Sequence, residues 1–433
     1  MRPYVREVIG EGPQRAPRVM KFGGSSVTGA DRIDSIVEVI RDRSRSRRVV
    51  VVVSAFADVT ATLGRIASAA AQDGVVPDDF SQLRAYHYQA VDRMTASGPA
   101  IRATVERILS ECETVLSGVA STRSCSAAEL DTILSFGERL SSEIIAAGLI
   151  QRGVHAVPVD AGEMIVTDAN HGDARADFDA TSERVQAAMP REPAVPVVTG
   201  FIGATSTGVR TTLGREGSDY SAAILAVCLE ADGVEIWTDV DGVMTADPRV
   251  VPEALPLREL SYEELFDLTS WGAKVVHPKT VGPLHGAGIP LEIKNTTSPS
   301  DPGTRIHVGA TGATGGPLGV TRLDVAALRS PGHGTPSTGE AREQLETLMG
   351  EIEATGRDGA IITVVHRRGA VTDRAVDTIA DSLREKGIFV AGISEGANHA
   401  TVSLGVACEH ADLAMNAVHR TVFSSRPEAS ANA

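Results

Sequence analysis

Cysteine is scarce in this 433-residue chain. The four that occur, Cys112, Cys125, Cys228 and Cys408, are scattered and form no C-x-x-C pair. Such spacing excludes a disulfide framework or a zinc site and fits reduced thiols. Long apolar runs are also missing. The longest strongly apolar stretch, Val49 to Val53, is far too short to span a bilayer. Positive charge is in deficit: 41 Lys and Arg stand against 56 Asp and Glu, a formal net charge of −15. That balance argues against nucleic acid or an anionic membrane as the main partner. A local basic cluster can still bind an anionic substrate. Met1 to Pro17 is polar, charged and interrupted by prolines, without the apolar core of a signal peptide, so a cytoplasmic protein is expected. At 42% hydrophobic, the chain has the makings of two or three globular domains.

What is present is a recurring pattern of short apolar strands that end in glycine turns and feed helices. Arg18-Val-Met-Lys-Phe-Gly-Gly-Ser-Ser-Val27 reads as a strand ending in a Gly-Gly turn. Ile33, Ile36, Val37 and Ile40 supply the spacing of the helix that follows. Lys21 lies at the strand's end, and Gly23 and Gly24 let backbone N–H groups approach a ligand closely. This is strand–loop–helix phosphate chemistry without the Walker spacing; alone, it also reads as an ordinary turn. Val49 to Val53 has the continuous apolar character of a strand buried on both faces of a parallel sheet. It ends in Ser54-Ala-Phe-Ala-Asp-Val-Thr60. Ligands of open α/β sheets bind beyond the carboxyl ends of strands, which directs Ser54 and Thr60 either to a site or to helix capping. Residues 62–122 read as helical, and Leu134 to Ser141 opens another helix. Strands are expected near 154–159 and 195–202, the second ending in Thr199-Gly-Phe-Ile-Gly203.

Thr211 to Ala223 opens with β-branched residues, breaks at Gly214 and Gly217, and enters an Ala-rich helix that Ser218 or Asp219 can cap. A glycine turn at a helix N-terminus attracts anions, and here it also carries Arg215 and Asp219. The same pattern serves in a plain strand-to-helix connection with a surface arginine. Farther on, Asp241-Gly242 between β-rich flanks is a hairpin signal. Ser261 to Lys274 reads as a helix and Leu291 to Lys294 as a strand. The alternation implies an α/β protein, an αβα sandwich with a mostly parallel sheet. From Gly309 the character changes: Gly309 to Pro317 and Ser330 to Gly339 have linker composition. A strand at 360–365, a helix face of Val376, Ile379, Ala380 and Leu383, strands at 388–393 and 401–406, and a helix at 409–422 form a βαββα unit of about 65 residues.

Nine ordered pieces between residues 18 and 308 resemble the aspartokinases, members of the amino-acid kinase family: KFGGSSV, VVSAFADVT, SFGERLS, TGFIG, TTLGREGSDYSAA, EIWTDVDGV, TADPR, WGAKVVHP and IKNTTSPSDPGTRI. The wording is similar to the branch that includes kinase halves fused to homoserine dehydrogenase. The resemblance implies the amino-acid kinase fold. It also implies transfer of a phosphoryl group from ATP, accompanied by Mg²⁺, to the β-carboxylate of L-aspartate. It implies Lys21, Asp219 and Lys274 as catalytic residues, the lysines as cations and Asp219 as their organiser. It assigns Glu138 to the α-ammonium and Arg215 to the α-carboxylate, a bidentate task suited to guanidinium, with Thr60, Phe201 and Ser218 lining the pocket. The nucleotide side maps to Lys21, Gly23, Gly24, Ser25, Thr238, Asp239, Met244, Asp247, Arg249 and Lys274. No residue is assigned to bind a metal directly, and His277 is expected to be structural.

Two departures stand out. Glu216 occupies a position often Gly or Asn in the family, adding negative charge near the phosphate path, and Met244 stands where Tyr is common. The C-terminal part resembles the family's ACT regulatory region but is short. Gly319 to Ala433 is 115 residues, whereas two modules need roughly 140. The expected organisation is a flexible tail at 1–16, a catalytic domain at 17–309, a linker with a degenerate first ACT module at 310–358, and a second module with its tail at 359–433. A homodimer through the ACT modules is expected, with weak or no feedback by lysine or threonine. An amino-acid kinase acting on an aspartate analogue, or a non-catalytic ACT-bearing subunit, are the alternatives.

Overall fold

A computed structural model describes residues 16–28, 30–94, 98–273, 276–309, 316–328, 339–367, 373–396 and 400–423. The chain forms two compact units, Met1–Trp237 and Thr238–Ala433. Among the described residues no helix is long and apolar enough to cross a membrane.

The first unit contains, in chain order, β1 (Arg18–Phe22), α1 (Ala30–Ser44), β2 (Val49–Val53), α2 (Val59–Asp73), α3 (Asp79–Met94), α4 (Pro99–Thr122), α5 (Ala127–Gln151), β3 (Ala156–Val159), β4 (Val166–Thr167), α6 (Phe178–Ala188), β5 (Val195–Thr199), β6 (Ile202–Thr205), β7 (Arg210–Thr212), α7 (Gly217–Cys228) and β8 (Gly233–Thr238). Five strands lie in the order β8-β1-β2-β5-β3, and every pairing is parallel. Parallel neighbours need crossover helices, so both faces of such a sheet become covered. Val49 to Val53 are accordingly all buried. Val49, Val51 and Val53 share a core with Leu63 and Ile66 of α2, Leu109 and Leu116 of α4, and Ile133 and Leu140 of α5.

Several boundaries differ from the sequence expectation. The helical region 62–122 is three helices, the first starting at Val59. Leu134 to Ser141 does not open a helix but lies inside α5, whose start is set by a capping box between Ser126 and Glu129. The strand expected over 195–202 is two, broken where Phe201 takes a left-handed backbone (φ 65°).

The second unit contains β9 (Val243–Met244), β10 (Pro256–Leu257), β11 (Glu259–Ser261), α8 (Tyr262–Ser270), α9 (Pro278–Ala287), β12 (Leu291–Asn295), β13 (Thr304–His307), β14 (Pro317–Asp324), α10 (Val325–Leu328), α11 (Gly339–Ala354), β15 (Gly359–His366), α12 (Asp373–Glu385), β16 (Val390–Glu395), β17 (Thr401–Ala407) and α13 (Ala411–Phe423). The expected hairpin at Asp241-Gly242 does not form, because β9 pairs with β10 instead. Gly242 (φ 106°) sits where a Cβ would lie 2.4 Å from Thr304 Oγ1, so glycine there serves close packing rather than a two-residue β-turn. The helix expected from Ser261 to Lys274 ends at Ser270, ahead of Gly272 (φ 102°). His277 caps α9, its Nδ1 accepting from Lys279 N.

The βαββα reading matches β15, α12, β16, β17 and α13, and β14 adds an edge strand to give the antiparallel order β14-β15-β17-β16. One sheet face is apolar: Ile362, Val364, Val402 and Leu404 pack against Ile379 and Leu383 of α12 and Met415 and Val418 of α13. The other carries Thr363 and Ser403, joined hydroxyl to hydroxyl, with Gln344 of α11 donating to Ser403 Oγ. α11 thus covers this second face of the sheet. Gly359 and Gly405 admit Ile352 there, each leaving no room for a Cβ.

A test of the packing concerns Gly137 in α5. A Cβ there would lie 2.8 Å from Ala55 Cβ and 3.2 Å from Val59 Cγ1. Helix propensity alone predicts that Gly137→Ala stabilises by about 1 kcal/mol, whereas overpacking costs about 1–3 kcal/mol. Thermal unfolding should show a lower Tm; a higher Tm would mean that the junction can absorb a methyl group.

Candidate active site

The carboxyl ends of β1, β2 and β5 bring three turns to one end of the parallel sheet. Lys21, next to last in β1, extends its Nζ to 2.6 Å from Asp219 Oδ1, and both side chains are about nine-tenths buried. Asp219 Oδ1 has no partner with hydrogen-bond geometry, so this is a close charge contact rather than a directed bond. Asp219 lies in the first turn of α7. The expected cap by Ser218 or Asp219 is not formed: Glu216 is the N-cap residue, without a side-chain bond, at φ 53°. A left-handed position explains why Gly or Asn suits it, since other residues cost about 1–2 kcal/mol there. Glu216 and Arg215 are exposed, and no described residue pairs with Arg215.

Around Lys21 the chain is kept bare. A Cβ on Gly23 would sit 3.6 Å from Lys21 Nζ, and one on Gly24 would meet Ala55 O at 2.9 Å. Gly23 N donates to Trp237 O. Ser25 is half-buried, and its carbonyl accepts from Arg32. This cradle fits phosphate oxygens: small residues, backbone groups and one cation.

Glu138 occupies the fourth turn of α5 and is 3% exposed. Ala55 N donates to its Oε1 at 3.1 Å, while Oε2 has no hydrogen-bond partner among the described residues. Burial pushes its carboxyl up to about 8, with the Ala55 bond opposing. A buried carboxylate short of partners is a site for a cation. Ser141, one turn on, donates to Ser54 O and fixes the same junction. Thr60 is half-buried in the first turn of α2, just beyond it.

Phe201, Gly217 and Ser218 also meet. The left-handed backbone of Phe201 is held on both sides, because Phe201 N donates to Ser221 Oγ at 2.9 Å while Phe201 O accepts from Leu213 N. A Cβ on Gly217 would meet the Phe201 ring at 2.8 Å, and one on Gly200 would meet Ser218 Oγ at 2.5 Å. Two supports escaped the sequence reading. Ser221 holds Phe201. Asp131 of α5, 1% exposed, accepts from Thr212 Oγ1 at 2.6 Å and lies 2.7 Å from His171 Nδ1. An acid and a serine on otherwise apolar helix faces were the available signals.

The remaining candidates lie in the second unit. Thr238 O accepts from both N and Oγ1 of Thr296, and Asn295 Nδ2 donates to Asp241 Oδ1, so the IKNTTS motif braces the Thr238–Asp241 turn. Asp239 is exposed and accepts from Thr238 Oγ1. Met244 is half-buried. Asp247 accepts twice from the Arg249 guanidinium, at 2.9 and 2.6 Å. Lys274 lies outside the described residues. Among those residues no cluster of three or more His, Cys, Asp or Glu could hold a metal ion.

Residues 17–295 match the sequence profile of the amino acid kinase family. Aspartokinase 1, chloroplastic, of Arabidopsis thaliana is 30% identical over 466 residues, covering 94% of this chain and 80% of the relative. The bifunctional aspartokinase/homoserine dehydrogenase of Haemophilus influenzae is 34% identical over 316 residues, which span 72% of this chain but only 39% of that protein. The crystal structure of Escherichia coli aspartokinase III in complex with aspartate and ADP shares the fold, with a TM-score of 0.75 at 24% identity over 94% of this chain and 99% of that one. The chain therefore belongs to the amino acid kinase family, among the aspartokinases.

The proton on Glu138 gives a test. A carboxyl that ionises near 8 in the folded chain and near 4.5 otherwise is protonated on folding, so it lowers stability progressively as pH rises from about 4.5 to 8. Glu138→Gln should raise Tm most at pH 8 and least near pH 5. An ammonium partner favours the ionised form, so the affinity for an amino-acid substrate should rise with pH up to about 8 and then level. In Glu138→Gln that slope should vanish along with most of the affinity. A wild-type slope in the variant would remove Glu138 from substrate binding.

Proposed function

We propose that this chain is an aspartate kinase that transfers the γ-phosphoryl group of ATP to the β-carboxylate of L-aspartate, giving 4-phospho-L-aspartate and ADP. The observation that carries the reading is the buried Glu138 carboxylate with an unpartnered oxygen, in the unit that also presents the Lys21–Asp219 pair beside a glycine cradle. The acceptor carboxylate is already an anion, so no general base is required. The task is to bring two anions together and stabilise the charge on the transferring group. Lys21 supplies positive charge, and Asp219 holds its ammonium in place. The amide of Gly24 adds a donor, while that of Gly23 is engaged with Trp237 O. Holding donor and acceptor in line supplies about 7–11 kcal/mol of the barrier. Glu138 takes the α-ammonium and the exposed Arg215 closes on the α-carboxylate, with Thr60, Phe201 and Ser218 shaping the pocket. Thr238, Asp239, Met244, Asp247, Arg249 and Lys274 serve the nucleotide. Mg²⁺ enters with the phosphates, as a hard cation with few protein ligands does.

Release of ADP by the purified chain with L-aspartate and no added partner tests this reading. Activity confined to an analogue would point to a different acceptor, and no activity to a subunit without catalysis. Lys21→Ala should lower kcat far more than it raises KM for aspartate, because it removes a contact made to the developing charge. Near wild-type kcat would exclude Lys21 from the site.

Regulation follows from the second unit. The organisation we favour keeps one whole ACT module at 359–423, with β14 and α11 as remnants of a first. The replaced middle, as far as residue 338, and most of the loop following His366 lie outside the described residues. Where the effector loop and helix of a module are missing, a pocket cannot provide the differential affinity that a large population shift requires. Aspartyl phosphate formation should therefore be weakly sensitive or insensitive to millimolar lysine, threonine or both. Strong inhibition by any of these would show that the effector pocket survives.

A further inference from the structure

We infer that helix α13 is part of the nucleotide side of this protein, with His419 a positioning residue that acts through Thr245 on the Met244–Arg249 loop. The inference rests on the reading of Met244, Asp247 and Arg249 as nucleotide contacts.

The loop cannot hold its own shape. Its only sheet pairing is β9 with β10, two residues each, far below an independently stable hairpin. Its side chains alternate: Val243, Thr245 and Ala246 are buried, Met244 and Asp247 are half-buried, and Arg249 is exposed. The inward residues therefore decide where the outward ones sit. Thr245 is the anchor. It is fully buried, and its N donates to Leu255 O at 2.8 Å, while its O accepts from Val320 N at 2.7 Å. Its Oγ1 accepts from Leu255 N at 2.8 Å and lies 2.9 Å from His419 Nε2. The hydroxyl has one proton to give, and burial holds the imidazole toward its neutral form, so Nε2 can accept it.

The rest of one α13 face meets the same segment. Asn416 Nδ2 donates to Val250 O at 2.8 Å. Arg420 pairs with Glu253. Phe423 stacks on His419 at 4.6 Å between ring centroids. Residues 416, 419, 420 and 423 share one face of a helix. Ala246 and Val251 belong to the same apolar core as Val364, Leu404, Met415 and Val418. The C-terminal module and the loop are thus one packed body. A shortened regulatory region keeps this module because the loop's conformation depends on it, whether or not an effector binds.

Thr245→Val keeps the shape and removes the hydroxyl. His419→Leu removes the imidazole, and Thr245→Ser restores the hydroxyl. Leaving a buried polar group without its partner is strongly unfavourable, so KM for ATP, and the Kd for ADP from calorimetry, should rise about tenfold in the first two variants. KM for aspartate should stay within about twofold of wild type, and Thr245→Ser should recover most of the nucleotide affinity. A reversible loss of folded protein would weaken both substrates alike, so a loss of stability cannot imitate a rise confined to the nucleotide. Asp247→Ala serves as the reference. If it weakens ADP binding while Thr245→Val and His419→Leu only lower Tm, or raise both KM values alike, His419 is structural and the inference falls. If Asp247→Ala also leaves ADP binding unchanged, the loop is not a nucleotide element and the reading beneath the inference is what fails.

Discussion

The first unit is arranged around the close approach of Lys21 Nζ to Asp219 Oδ1. Two charges withdrawn from water cost more in desolvation than a single contact returns, so such a pair is weak evidence of stability. Its effect is geometric. Lys21 is held in a strand paired on both sides, register-locked against Val52 and Ile236. Asp219 is held in the first turn of α7. Breaking the pair would leave an uncompensated charge, so the ammonium remains at the mouth of the Gly23–Gly24 turn. A protein that must bring a polyanion to an anionic acceptor needs a cation fixed at that place before either arrives.

Glu138 presents the complementary case. Lys21 is provided with a counter-charge, whereas Glu138 keeps one oxygen without a partner in an interior that disfavours its ionised form. The site thus stores unfavourable desolvation that a bound ammonium can relieve, as the role proposed for Glu138 requires. Close packing makes the burial possible. Gly137 lets α5 settle onto the β2–α2 turn, and Ser141 and Glu138 then bond to the backbone of that turn.

The second unit uses a different economy. Its nucleotide candidates lie on short turns with little secondary structure of their own, and each turn is braced from elsewhere in that unit. Thr296 and Asn295 hold the Thr238–Asp241 turn. α13 holds the Thr245 segment through a bond spanning 174 residues of sequence. Binding residues on loops supported by rigid elements are a general solution, because loops tolerate the backbone shapes that ligands require.

The sequence by itself determined the α/β alternation, the glycine turns at strand ends and the family, and it supplied the residue types proposed for the site: Lys21, Glu138, Arg215 and Asp219. Those features follow from local rules. A strand buried on both faces shows as a continuous apolar run, here five valines, a phosphate cradle needs bare backbone, and an amino acid needs one charge of each sign. The tertiary structure alone decided the rest. It broke the 195–202 strand at Phe201 and paired β9 with β10 instead of forming a hairpin at Gly242, whereas the start of α5 at the Ser126–Glu129 capping box and the end of α8 ahead of Gly272 follow local signals. It set the proton on Glu138, laid α11 over the polar face of the C-terminal sheet, and joined His419 to Thr245. Periodicity and turn chemistry report interactions among residues a few positions apart. Desolvation, the pairing of distant strands and the partner of a buried hydroxyl depend on which surfaces meet, and no local pattern encodes that.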